Sequence, residues 1–131
     1  MNVWKPKHAN STSNLPVYLW IYGGRFEGGG CDVLTYDVAG LAAKDIIVIT
    51  INYRLGLFGF LAHPEPSAKS RLDSPGNYGL LDQIAAIAWA KDEIHVFGAD
   101  PSHITVGDQS AGLASSLDIV YSPLSNIWLP A

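Results

Sequence analysis

The sequence predicts an α/β fold of three layers, with a mainly parallel sheet flanked by helices. Three observations carry this. Two short runs, Val17-Tyr18-Leu19-Trp20-Ile21-Tyr22 and Ile46-Ile47-Val48-Ile49-Thr50-Ile51, are apolar on both faces. Such runs suit strands buried in a parallel sheet better than strands at a solvated edge. Segments with helical spacing alternate with these runs, the order expected of βα units. The 131 residues are 48% hydrophobic and only 15% charged, enough apolar material for one domain with a real core and opposite to the disordered signature.

The elements follow in chain order. Lys7 to Asn14 is a polar stretch that reads as a surface loop, and it holds Asn10-Ser11-Thr12, an N-glycosylation acceptor pattern that would matter in a secreted protein. The first strand, from Val17, ends at Gly23-Gly24, and a glycine-rich loop continues through Gly28-Gly29-Gly30. A short helix is expected over Val38 to Lys44. The second strand is dominated by β-branched residues, which disfavour helix. Pro64, Pro66 and Pro75 mark a long loop. Leu80, Leu81, Ile84, Ile87, Ala88 and Trp89 then recur at helical spacing. They predict a helix from about Gly79 to Val96, stopped by Gly98 as a C-terminal cap. Pro101 starts the next turn, Ile104-Thr105-Val106 is a short strand, and a helical stretch runs from Gly112 toward Leu117.

Charge and composition exclude several functions. The net charge is −4 and the pI about 5.3, so nothing attracts a phosphate backbone or an anionic membrane surface. Cys31 is the single cysteine, which rules out an internal disulfide. His8, His63, His95 and His103 show no ligand spacing, and no metal or cofactor is expected. No run approaches the ~18 apolar residues that a membrane span requires. The start lacks the apolar core of a signal peptide. With Met1 as the natural start the default compartment is the cytosol; an N-terminally truncated chain would leave secretion open. An unrelated nucleotide-binding α/β fold lacks support, because no phosphate-binding glycine motif follows a strand.

Acyl transfer from an ester needs an activated nucleophile and donors for the developing oxyanion. Ser110 lies between the strand Ile104–Val106 and a predicted helix, with small residues Ala111 and Gly112 behind it. A nucleophile on a sharp strand-to-helix turn occupies that context. So does a serine that merely caps the helix. Tyr22-Gly23-Gly24-Arg25-Phe26, after the first strand, exposes backbone N–H groups of the kind an oxyanion hole uses, or it is an ordinary glycine turn.

Four ordered blocks resemble the type-B carboxylesterase (cholinesterase/lipase-like) family of α/β-hydrolases. They are Leu15 through Gly24; Thr50-Ile51-Asn52-Tyr53-Arg54-Leu55-Gly56 with Gly59-Phe60-Leu61; Gly76-Asn77-Tyr78-Gly79-Leu80-Leu81-Asp82-Gln83; and Phe97-Gly98 through Gly112. Asn2-Val3-Trp4-Lys5-Pro6 resembles the tail of a further family motif. The resemblance implies that residues 1–131 are the N-terminal part of one such domain, with an incomplete α/β-hydrolase fold. It implies hydrolysis of a small carboxylic ester through a serine acyl-enzyme, without a cofactor. Position by position, it makes Ser110 the catalytic serine. It makes Gly24, Arg25 and Ala111 the sources of the oxyanion N–H groups. The Asn52–Gly56 and Asn77–Gln83 blocks are structural on this reading.

The chain departs from the family at three points. Asp108 replaces the glycine two residues before the serine, and Arg25 replaces the third glycine of the oxyanion loop; an Arg25–Asp108 ion pair would reconcile the two. The family's acid and base follow the nucleophile, but Leu113 to Ala131 hold one acid, Asp118, and no histidine. The expectation is that this chain alone is inactive. The alternative to an esterase segment is an inactive carboxylesterase-like protein or interaction module.

Overall fold

The computed structural model describes residues 1–33, 36, 38–63 and 76–127. The loop expected around Pro64, Pro66 and Pro75 lies outside the described residues. Four strands form one sheet: β1 (Asn2–Trp4), β2 (Leu15–Ile21), β3 (Ile47–Thr50) and β4 (Ala99–Asp108), in the order β1-β3-β2-β4. β2 lies in the middle, parallel to both β3 and β4, while β1 runs antiparallel to β3. β2 and β3 are the two doubly apolar runs. All four residues of β3 are buried, because a strand paired on both edges and covered on both faces has no solvated side.

Side chains alternate across a strand, so β2 serves two layers at once. Val17, Leu19 and Ile21 join Ile47 and Ile49 of β3 in the main core. Ile87 and Ala90 of α3 (Tyr78–Glu93) and Ile119 of α4 (Ala111–Tyr121) complete it. Tyr18 and Trp20, on the opposite face, line a cavity of about 180 Å³ with Tyr36, Val38, Leu41 and Val48. That places α1 (Val38–Ala42) on this second face, and the three layers are helix, sheet, helix.

The expected helix over 79–96 is α3 followed by a 3₁₀ turn, Ile94–Phe97. Gly98 ends it in the left-handed region at φ 89°, and its N–H donates to the His95 carbonyl over 3.0 Å. α1 stops two residues before Lys44; Asp45, at φ 60°, turns the chain into β3.

The structure corrects the strand expected at Ile104–Val106. β4 spans ten residues, and Pro101 lies inside it rather than in a separating turn. The register explains why. Leu15 pairs with Ala99 but Val17 pairs with Ile104, so the intervening residues bulge out of the ladder. Ser102 N–H and Oγ both donate to Asp100 Oδ1, at 2.8 and 2.6 Å, and close the bulge. Those bonds hold the Asp100 carboxyl below its ordinary pKa. The turn chemistry was visible at Pro101, but a bulge looks like a turn until the partner strand is known.

Three elements were not anticipated: β1, α2 (Gly56–Phe60) and a closing 3₁₀ turn, Pro123–Ile127. β1 is three residues long, too short for any periodicity to register. α2 contains two glycines in five residues, which argues against helix on propensity alone. Tertiary contacts hold it instead: a side chain at Gly79 of α3 would meet the Phe60 ring at 2.5 Å, so the two helices touch there.

Tyr53 follows β3 and is nearly buried. Its hydroxyl donates to the Tyr22 carbonyl over 2.8 Å, and the two rings stack at 4.7 Å. Burial pushes the Tyr53 hydroxyl up to about 12. A folded value above the unfolded one, about 10, gives stability that is fully present below pH ~10 and is lost as pH rises toward ~12. Urea midpoints measured across that interval should therefore fall. Tyr53→Phe should flatten that fall, while lowering stability by about 1 kcal/mol at neutral pH through the unpaired Tyr22 carbonyl. An unchanged alkaline slope in Tyr53→Phe would remove Tyr53 as its source.

Candidate active site

The C-terminal end of β4 carries the first part of the site. After Asp108 the chain makes a tight turn: the Gly112 N–H donates to the Gln109 carbonyl over 2.9 Å, and Leu113 N–H donates to the Ser110 carbonyl over 3.0 Å. Ser110 has φ 57° and ψ −116°, the second position of a type II′ turn, which ordinarily takes glycine. A serine there is strained by about 1–3 kcal/mol and persists only because its surroundings over-determine it. Ser110 sits at the N-cap of α4, yet its hydroxyl makes no capping hydrogen bond, and the residue is exposed. The capping alternative left open by the sequence is therefore not the role this side chain plays.

The turn is this sharp because β2 and α4 meet beneath it. A side chain at Gly112 would come within 2.4 Å of the Ile21 carbonyl and 3.2 Å of Asp108 Cβ. Only glycine lets the first turn of α4 approach the end of β2 so closely. Ser110→Gly follows as a test of the strain. It should stabilise the fold by about 1 kcal/mol, the relief of strain less the added entropy of the unfolded chain. The measurement is the urea midpoint at constant slope, and an unchanged or lower midpoint would contradict the strain argument.

The second part is the loop after β2. Gly24 has φ 126°, and its carbonyl accepts from the N–H groups of Glu27 and Gly28, at 3.0 and 3.2 Å. Arg25 and Phe26 follow in the left-handed region, at φ 58° and 62°. Phe26 anchors the loop: its carbonyl accepts from Gly56 N–H over 2.6 Å, and its ring packs on Phe60 at 4.8 Å. Among the described residues, the backbone N–H groups of Gly24, Arg25 and Ala111 enter no backbone hydrogen bond. Each is free to donate to an external acceptor.

Gly23 brings the two parts together. A side chain there would meet the Gln109 carbonyl at 2.5 Å, Gln109 Oε1 at 2.7 Å and Ser110 Cβ at 2.8 Å. The structure thus juxtaposes the loop of Gly24 and Arg25 with the turn of Ser110 and Ala111. Gly23 and Gln109 were not singled out in the sequence. The Gly-Gly doublet signalled the loop, but nothing local told which glycine touches the serine.

Other expectations come out differently. Arg25 and Asp108 form no ion pair, so the two substitutions do not compensate each other. Arg25 is exposed, its side chain carried outward by the left-handed backbone. Asp108 pairs with Ile21 across the ladder and points to the α4 face of the sheet.

His8 lies 3.0 Å from Asp45, just before β3, and His103 lies 3.3 Å from Asp100, early in β4. His95 precedes β4. In a parallel sheet these positions share the end opposite Ser110. A cavity of about 370 Å³ opens between α3 and α4, lined by Asn77, Leu80, Leu81 and Ile84 on one side and by Asp118, Ile119, Ser122 and Leu124 on the other; it includes Asp118, the one acid after the serine among residues 113–131, but not Ser110. Among the described residues no group of three or more His, Cys, Asp or Glu is arranged to hold a metal.

The Asn52–Gly56 and Asn77–Gln83 blocks meet as a buttress. Arg54 donates to Asp82 through Nε and Nη2, each at 2.7 Å, and through its backbone N–H at 2.9 Å. That bidentate pair raises the pKa of Arg54, and its guanidinium lies over the Tyr78 ring at 5.2 Å. Asn52 Oδ1 accepts from Cys31 N–H at 2.9 Å and ties down the far end of the glycine loop. These residues hold the scaffold around the site rather than face a substrate.

Residues 1–128 match the Carboxylesterase family. A fumonisin B1 esterase of Sphingopyxis macrogoltabida is 46% identical over 125 residues, which are 95% of this chain and 23% of that protein. Carboxylesterase 5A of Felis catus is 40% identical over 127 residues, 96% of this chain and 22% of that one. Among solved structures, a Geobacillus stearothermophilus carboxylesterase superposes with a TM-score of 0.84 at 40% identity, covering 95% of this chain and 26% of its own. The chain spans about a quarter of the length of the curated relatives it matches. Its sheet and helices correspond to part of an α/β-hydrolase fold.

Proposed function

Because the chain belongs to the carboxylesterase family, we propose that residues 1–131 form the nucleophile-bearing N-terminal part of one type-B carboxylesterase domain, and that the whole protein hydrolyses small carboxylic esters through a Ser110 acyl-enzyme. The observation that carries this reading is the strained, uncapped Ser110 held against Gly23 of the glycine loop. Ser110 Oγ bonds to the acyl carbon while its proton passes to a base outside these residues. The carbonyl oxygen gains negative charge and accepts from the N–H groups of Gly24, Arg25 and Ala111. The C–O bond to the alcohol then breaks, and the alcohol leaves with the base's proton. Water, deprotonated by the same base, cleaves the acyl-serine and returns the enzyme. Positive φ at Gly24 and Arg25 turns the loop so that consecutive N–H groups are unused by the fold.

A second reading, a carboxylesterase-like protein without turnover, is favoured by Asp108. Its carboxylate adds negative charge two residues from Ser110, and no described cation neutralises it. The two readings part in one experiment. Residues 1–127 replace the matching segment of a full-length carboxylesterase relative, and the folded chimera is treated with a fluorophosphonate. The esterase reading expects one covalent adduct, mapped by mass spectrometry to Ser110. The 131-residue polypeptide alone should take up no adduct and hydrolyse no p-nitrophenyl acetate above buffer. A folded chimera without an adduct, or with its adduct on another serine, would sink the esterase reading.

A further inference from the structure

We propose that Asn10 is an acceptor for an N-linked oligosaccharide. Asn10-Ser11-Thr12 is the single Asn-x-Ser/Thr tripeptide in the sequence, with serine rather than proline in the middle. All three residues are exposed. The structure adds what a tripeptide match lacks. Thr12 donates to Asn10 Oδ1 twice, from its backbone N–H at 2.9 Å and from its hydroxyl at 2.7 Å. Nδ2 of Asn10 makes no hydrogen bond among the described residues, so the nitrogen is left for an external reagent.

That arrangement has a chemical consequence. A carboxamide nitrogen is a poor nucleophile because its lone pair is shared with the carbonyl. Two hydrogen bonds onto Oδ1 stabilise negative charge on that oxygen, so an N–H proton is lost more readily as the nitrogen attacks. In the transfer, Nδ2 bonds to the anomeric carbon of a saccharide carried on a lipid pyrophosphate. The anomeric C–O bond breaks, the pyrophosphate leaves with the electron pair, and the amide proton passes to a carboxylate of the transferase.

The fold presents the acceptor without hindrance to the site at Ser110. The turn is closed at its base: Asn10 N–H donates to Ser13 Oγ at 2.9 Å, and Ser13 N–H donates back to the Asn10 carbonyl at 3.1 Å. The Asn10 carbonyl packs against Gly98, where the helical layer turns into β4. Asn10 therefore lies at the N-terminal ends of β2 and β4, while Ser110 follows the C-terminal end of β4. The seven residues of β2 separate these poles by about 23 Å. A glycan at Asn10 covers the end of the sheet opposite the glycine loop.

The test is cell-free translation of the 131-residue chain behind a cleavable secretory leader, with microsomes present. An engineered acceptor tripeptide on a C-terminal tag reports translocation in the same molecule. The expected product carries two oligosaccharides, one on the tag and one on Asn10. Asn10→Gln and Thr12→Val each reduce it to one, and Thr12→Ser leaves a smaller doubly modified fraction. Enzymatic deglycosylation converts Asn10 to aspartate, visible as a mass change in its peptide. A chain modified on the tag but bare at Asn10 overturns the proposal, as does a second glycan that survives Asn10→Gln.

Discussion

Ser110→Ala in the folded chimera should lower kcat for p-nitrophenyl acetate by about 10⁴-fold or more, the scale seen when a catalytic serine is removed. The substitution keeps Cβ and so keeps the contact that holds Gly23 against the turn. It also keeps a non-glycine residue at φ 57°, so the backbone strain and the chimera's melting temperature should change little. On the esterase reading KM should stay within a few fold, because the hydroxyl would then contribute to bond formation rather than to ground-state binding. This pattern separates chemistry from architecture. A loss of activity with a matching loss of folded protein would say only that the turn had been disturbed. Retained activity would place the nucleophile elsewhere. Ser110→Gly should be equally inactive yet more stable, a combination that no purely structural role for this residue predicts.

Gly112→Ala should destabilise the chain by about 3 kcal/mol, the upper end of the cost of overpacking. The reason is the identity of the obstructing atoms. The new methyl group would meet the Ile21 carbonyl oxygen at 2.4 Å and its carbon at 3.3 Å, both backbone of the central strand. A flexible side chain could swing away, but β2 is hydrogen-bonded on both sides, to β3 and β4. The strain must instead move α4 off the sheet, and with it Ser110 and Ala111. Set against a typical total of about 5–15 kcal/mol, this is a large fraction. Gly28→Ala is the matched control: nothing lies within 4 Å of a side chain there, so its urea midpoint should stay near that of the parent. Equal midpoints for the two variants would show that α4 yields where the structure says it cannot.

Much of the fold was legible because burial on both faces leaves a strong local trace. Val17–Tyr22 and Ile46–Ile51 read as buried strands, and both lie in the centre of the sheet within two residues at each end. The long helix and its glycine stop were equally plain, since periodicity and a left-handed cap are properties of neighbouring residues. β1, α2 and the extra length of β4 were not, because a three-residue strand, a glycine-containing helical turn and a bulge are each decided by a distant partner. On α4, Leu113, Leu117, Val120 and Tyr121 form an exposed apolar stripe, and β4 stands at one edge of the described sheet. An isolated reading of α4 would have turned that stripe inward.

At the site, the division runs through single residues. The order of small residues around Ser110, and the Gly-Gly doublet at the end of a buried strand, are written in the chain itself. Tertiary structure decided the rest. It placed Gly23 rather than Gly24 against the serine, set Gln109 beside them, left the Ser110 hydroxyl uncapped and kept Arg25 away from Asp108. The physical reason is that sequence patterns report which residues avoid water and which backbone angles they tolerate. Contacts across 86 positions, from the loop after β2 to the turn after β4, exist only once parallel pairing has aligned the two strand ends.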